Sequence, residues 1–200
     1  MELVIPTLDR LPGYVDALER GWTPDTLRPE VAGEQLDAIA RDAGGFVARQ
    51  DDPEARGGPV RLPDGSQAAR LPSLRRWIWA DGFCGAISLR WQPGTDALPP
   101  TCLGHVGYAV VPWRRGQGHA TTALRAILPV AAALGLRRIE VVTDPVNAAS
   151  IRVIERAGGV LAETFTVPDT LGGGAALRYR IATPGAGAET ARPAGPAPVR

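Results

Sequence analysis

Lysine is absent from this 200-residue chain, and every one of its 22 basic residues is arginine. With Ala, Gly and Pro abundant, that absence reads as coding bias rather than chemistry. Cysteine is scarce as well. Cys84 and Cys102 are too few for a disulfide framework, and with only His105 and His119 beside them they make a poor metal set. No metal site is expected, and the setting reads as reducing and cytoplasmic. Long apolar runs are missing too: the longest, Ala126 to Leu136, falls far short of the roughly 20 residues of a membrane helix. Met1 to Arg10 carries Glu2, Asp9 and Arg10 around a short apolar run, which is not the pattern of a signal peptide. Nor is there an excess of one charge. The formal net charge is +1, which offers no electrostatic footprint for nucleic acid or an anionic membrane. A soluble protein with neither partner is expected.

What is present is the composition of a folded domain. Hydrophobic residues make up 44% and charged residues 22%, which excludes wholesale disorder. A chain of this length can bury a core without covalent staples.

Four zones follow one another. From Met1 to Gln50 the pattern predicts a strand at Leu3 to Ile5 and then helices. Val15, Leu18 and Trp22 fall at helical spacing, as do Val31, Leu36, Ile39 and Ala40, and Gly44 and Gly45 are read as ending the second helix. Asp51 to Pro72, with four prolines and few apolar side chains, predicts a long loop, either a binding loop or a plain surface excursion. Arg75 to Trp91 reads as a hairpin turning at Asp81-Gly82. Gly104 to Ile181 then alternates. A strand from His105 to Val111, a helix from Gly118 to Leu134 and a strand from Arg138 to Thr143 form a crossover unit with parallel strands. A helix from Ala148 to Ala157 and strands at Val160 to Val167 and Ala175 to Ile181 complete it. Residues 1–182 are read as one domain. Twelve of the last 18 residues, Thr183 to Arg200, are Ala, Gly or Pro, and are read as a disordered tail.

The informative stretch is Val110 to Ala120, where a strand ends at Pro112 and Arg115-Gly116-Gln117-Gly118-His119-Ala120 opens a helix. Small residues there allow close backbone approach, and the first turn of a helix has N–H groups without internal partners. Those donors and the helix dipole suit a phosphate. A glycine-rich connecting turn would look the same, and the segment lacks both the third glycine of a dinucleotide fingerprint and the Lys-Ser/Thr of a Walker loop.

Context separates these readings. Arg115-x-x-Gly118-x-Ala120, the strand Gly107-Tyr108-Ala109-Val110 before it, Asp144-Pro145-Val146-Asn147-Ala148-Ala149-Ser150, and Val153-Ile154-Glu155-Arg156-Ala157-Gly158-Gly159 occur in that order. From about Leu74 to Ile181 the chain resembles the GNAT superfamily of N-acetyltransferases. The resemblance implies an α/β fold in which a mixed, mostly antiparallel central sheet with splayed parallel strands is flanked by helices. It also implies acetyl-CoA as acyl donor. Arg115, Gly116, Gln117, Gly118, His119 and Ala120 would hold its pyrophosphate. Backbone groups of Tyr108, Ala109 and Val110 would pair with its pantetheine arm, and one N–H there could stabilise an oxyanion. Asn147 would lie near the sulfur end of the arm, or cap the following helix, or both.

The chain departs from the family at one position. A tyrosine that many members carry as general acid is replaced by Ile154, which leaves Ser150 as a substitute candidate or a helix-start residue. His105 is the candidate base; a solvated or packed histidine at a strand start is the alternative. Glu140 and Asp144 are weaker candidates, and His119 is read as facing or avoiding the phosphates. Pro129 should kink its helix or cost one hydrogen bond. Trp77, Trp79, Trp91 and Trp113 are read as core, with an exposed subset able to line an acceptor site. The expected activity is direct transfer of acetyl from acetyl-CoA to a primary amine of a small molecule. The alternatives are a protein N-terminal or side-chain acetyltransferase, and a non-catalytic acyl-CoA-binding regulatory module. Monomer and homodimer are both compatible with the sequence.

Overall fold

The computed structural model describes residues 1–25 and 28–185. β1 (Glu2–Val4) leads into three helices, α1 (Leu11–Glu19), α2 (Val31–Arg41) and α3 (Ala43–Ala48). A small ladder, β2 (Val60–Arg61) with β3 (Gln67–Ala68), precedes the hairpin β4 (Ser73–Trp79) and β5 (Phe83–Arg90). Then come β6 (Val106–Val110), α4 (His119–Ala133), β7 (Arg138–Thr143), α5 (Ala148–Arg156), β8 (Val160–Thr166) and β9 (Ala175–Ala182). Two sheets of order β1-β4-β5-β6 and β7-β9-β8 result, and all their ladders are antiparallel. The expected fold class holds, with one difference. The crossover strands β6 and β7 splay so far that no ladder joins them.

The four-stranded sheet is apolar on both faces because alternate residues feed separate clusters. Leu74, Ile78, Ile87 and Leu89 pack with Leu124 and Ile127 of α4. Trp77, Phe83 and Ala86 pack with Tyr14 and Leu18 of α1. Trp77 is fully buried, and its ring stacks on Tyr14 at 4.9 Å. Each aliphatic side chain taken out of water in this way contributes about 1.5–3 kcal/mol. The hairpin turns where Asp81 and Gly82 both take positive φ, as a two-residue turn matching strand twist requires. α4 runs through Pro129, which is exposed, so water can satisfy the Arg125 carbonyl that loses its helical donor.

Two sequence expectations change. Gly44 and Gly45 lie inside α3 rather than ending α2: the carboxylate of Asp42 caps α3 by accepting from the Gly45 amide at 2.7 Å. A Cβ on Gly45 would sit 1.8 Å from that carboxylate, so a side chain there would push the Asp42 carboxylate out of its present position. The stretch from Asp51 to Pro72 is not featureless. Asp52 accepts from the amides of Arg56 and Gly57, bridges to Ser73, and is followed by the β2–β3 ladder. Those amide donors are also why the Asp52 carboxyl titrates below its ordinary range.

The ordered chain also runs past residue 182. Thr183 is buried, its hydroxyl donates to the Leu136 carbonyl at 2.6 Å, and its amide donates to Arg137. The remainder of the expected tail, residues 186–200, lies outside the described residues.

Candidate active site

The amides from Gly116 to Thr121 have no hydrogen-bond partner among the described residues, since the first bond of α4 runs from the Thr122 amide to the Gly118 carbonyl. Gly116 and Gly118 take φ of +76° and +80°, and a Cβ on either would meet nothing within 4 Å. The loop is thus held open by its backbone, with a row of donors at the positive end of a 15-residue helix. Arg115 folds back, its Nε donating to the Val110 carbonyl at 3.2 Å, while Arg114 donates to the Asp81 carbonyl. His119 is hydrogen-bonded to the Gln117 side chain at 3.2 Å, and partial burial with Arg114 nearby pushes its pKa down.

β6 is the edge of its sheet. Its register against β5, with Arg90 donating to His105 and Val111 donating to Cys84, assigns the backbone of Ala109 to β5. The backbone groups of Tyr108 and Val110 therefore face the splay, and their amides have no partner among the described residues. Of the three residues expected to meet the pantetheine arm, Tyr108 and Val110 turn their amides to the splay; Ala109 turns its backbone to β5 and packs its side chain with the α1 cluster.

Tyr108 brings something the sequence reading missed. Its phenol oxygen lies 2.8 Å from Ser150 Oγ across the splay. Burial raises the Tyr108 pKa above its ordinary value, so the phenol holds its proton at neutral pH. Asn147 caps α5 by accepting from the Ser150 amide at 3.0 Å, which fixes Ser150 facing β6. The signal available in the sequence was Tyr108 itself, on the strand opposite the α5 start. Ile154 is fully buried in the hydrophobic cluster to which α4 contributes.

His105 is not arranged as a base. It is fully buried, its amide donates to the Glu140 carbonyl at 2.8 Å, and its Nδ1 accepts from the Glu140 amide at 3.0 Å. With Nδ1 engaged as acceptor, the neutral ring carries its proton on Nε2, which has no partner among the described residues. Desolvation lowers its pKa, with Arg138 and Arg90 adding to the effect against Glu140 and Asp96. His105 joins the two sheets at the point where they part. Glu140 is held by Arg180 at 3.0 Å and Arg178 at 3.5 Å, and Asp144 caps its own turn by accepting from the Val146 amide.

A cavity of about 390 Å³ opens on the α1 side of the sheet, between β4, β5, the end of α3 and the 60–71 excursion. None of the tryptophans lines it. Trp77 and Trp91 are buried, and Trp113 is exposed with the Arg20 guanidinium 3.6 Å from its ring centre. Among the described residues no cluster of His, Cys, Asp and Glu could hold a metal, and no helix is long and apolar enough to cross a membrane.

The family model described as acetyltransferase (GNAT) domain matches residues 20–160. No curated protein sequence matches the chain. Among solved structures, the ribosomal L7/L12 alpha-N-protein acetyltransferase RimL in complex with coenzyme A superposes with a TM-score of 0.60 at 16% identity, covering 90% of this chain and 93% of that one. The microcin C7 self-immunity acetyltransferase MccE, in complex with acetyl-CoA and AMP, gives 0.56 at 13% identity, covering 90% and 91%. A chimera of spermidine N-acetyltransferase SpeG from Vibrio cholerae and hSSAT gives 0.55 at 12% identity, covering 91% and 96%. Their shared fold spans acceptors as different as a protein and a polyamine.

Proposed function

The chain belongs to the GNAT acetyltransferase family, and on that premise we propose that it transfers acetyl from acetyl-CoA to the primary amine of a small molecule. It is an acetyl-CoA-dependent acetyltransferase; the acceptor class and the residue roles are our reading. The observation that carries it is the run of unpaired amides from Gly116 to Thr121 at the open start of α4, which suits a pyrophosphate. Acetyl-CoA supplies the acetyl group as an activated thioester.

The chain's own residues would do the rest. The 116–121 amides and the α4 dipole hold the pyrophosphate, with Arg115 beside them. The unpaired amides of Tyr108 and Val110 receive the amide-rich arm at the sheet edge, as an added strand would be received, while the Val110 carbonyl is already taken by Arg115. The Tyr108–Ser150 pair holds a proton where β6 faces α5. Because His105 is engaged with Glu140, the acceptor amine must reach its neutral form without it. The enzyme's contribution is then positioning and electrostatic stabilisation. A small acceptor fits the cavity volume, which lies within the range usual for small-molecule sites. The test is a panel of amines incubated with acetyl-CoA and assayed for free thiol. Acetyl-CoA binding without thiol release by any amine of the panel would overturn the small-molecule acceptor and leave a protein acceptor or a non-catalytic binding module.

A further inference from the structure

We propose that the cavity on the α1 side of the sheet is the acceptor pocket and that it selects amines carrying a carboxylate or a phosphate. This rests on the acetyltransferase reading above and names its substrate class. Five guanidinium groups line the cavity, from Arg49, Arg61, Arg70, Arg75 and Arg90, against the single carboxylate of Asp25. In a chain with a net charge of only +1, that concentration is local rather than compositional.

Their partners are few. Arg49 has Asp42 at 3.6 Å and Arg70 has Asp52 at 3.8 Å, while Arg61, Arg75 and Arg90 make no ion pair among the described residues. Arg75 and Arg90 are half-buried on the sheet, and their guanidinium groups donate to neutral partners, Gln50 Oε1 at 3.4 Å and Ser88 Oγ at 3.2 Å, while the Asp51 carboxylate accepts from the Arg75 amide at 3.1 Å. Half-buried cations without counterions are poorly screened, and a planar guanidinium matches carboxylate and phosphate oxygens in pairs. A polyamine entering the same space would meet like charge on several sides.

The cavity also reaches the cofactor strand. Ser88 donates to the Gly107 carbonyl at 3.3 Å, and a Cβ on Gly107 would lie 3.3 Å from Arg90 Nη2. Glycine at 107 thus lets the Arg90 guanidinium lie against β6 one residue before Tyr108, a strand rise of about 3.3 Å. An anion on Arg75 and Arg90 would leave a short amine directed at the splay.

The experiment compares matched amines: β-alanine with β-alaninamide, phosphoethanolamine with ethanolamine, and spermidine as the polycation. The expected kcat/KM is at least about tenfold higher for an anionic amine than for its neutral partner, with spermidine poorest. Preference in one pair and not the other identifies the anion as carboxylate or phosphate. Arg75→Gln and Arg90→Gln should each cut the preference about tenfold while acetyl-CoA affinity, measured by calorimetry, is kept. Titrating β-alanine or phosphoethanolamine into the protein–CoA complex, which cannot turn over, should show anion binding that both variants weaken to the same degree. Turnover with equal kcat/KM for anionic and neutral amines, or anion binding unchanged in both folded variants, overturns the pocket assignment and leaves the acetyltransferase reading standing. No turnover with any of these amines overturns the small-amine reading above, and the acceptor role of the cavity with it.

Discussion

The phenol of Tyr108 and the hydroxyl of Ser150 lie 2.8 Å apart, one on the last strand of the first sheet and the other at the start of α5. They span the gap where β6 and β7 separate, and Asn147 fixes one end of the span by capping α5 through the Ser150 amide. If this pair holds the proton for the leaving sulfur, Tyr108→Phe and Ser150→Ala should lower kcat with acetyl-CoA affinity nearly unchanged. A thiolate needs little protonation, so a loss of about tenfold is expected rather than the 10²–10⁴ usual for acid–base catalysis. Single-turnover rates and calorimetry on both variants check it.

His105 predicts a pH dependence of stability. Burial holds its folded pKa below the ordinary 6.5 or so, so between these values the unfolded chain binds a proton that the folded chain does not. Stability should therefore fall as pH drops below about 6.5, and thermal melts from pH 8 to 5 should show it. His105→Ala should remove this dependence and, by leaving the Glu140 amide unsatisfied, cost about 1–3 kcal/mol. His105→Gln should leave the apparent pKa of the pH–rate profile in place. Loss of that pKa would restore His105 as the base.

The cofactor loop depends on Gly118 at φ +80°. Gly118→Val should abolish CoA binding, expected at micromolar strength or about −8 kcal/mol in the wild type, because a β-branched residue resists the left-handed conformation. Calorimetry of the folded variant decides it; wild-type affinity there would remove the loop from the site.

The C-terminal boundary predicts a contrast. Thr183→Val should destabilise the fold by about 1 kcal/mol or more, since the buried Leu136 carbonyl would lose its donor. Truncation after residue 185 should leave the melting temperature unchanged, as the composition of the removed residues leads one to expect. Thermal melts of the two variants check both statements.

What could be read from the sequence was local. The Asp81-Gly82 turn, the helical spacing of Val15 and Leu18 in α1 and the exact ends of β7 follow from residues close together in the chain, as does the glycine-containing loop before α4. What could not be read depends on residues distant in the chain. Strand spacing before and after α4 predicts a paired crossover; it cannot show that the His105 ring would take the Glu140 amide and let the strands part beyond it. The Ser150 candidate was visible, but its partner Tyr108 is 42 residues away, across a gap that exists only in the folded chain. The five arginines of the cavity are spread over positions 49 to 90 and look in sequence like ordinary surface charge. The family resemblance assigns Ala109 to the cofactor together with its strand neighbours, without saying which backbone groups the adjacent strand consumes.

Acetyl transfer to a small amine is read out by the ratio of free thiol released to acetylated amine formed, with acetyl-CoA and β-alanine or phosphoethanolamine. Amine-dependent release in equal amounts is expected, lost in Gly118→Val and reduced in Arg90→Gln. Tight acetyl-CoA binding with no amine-dependent thiol from any member of the panel would contradict it.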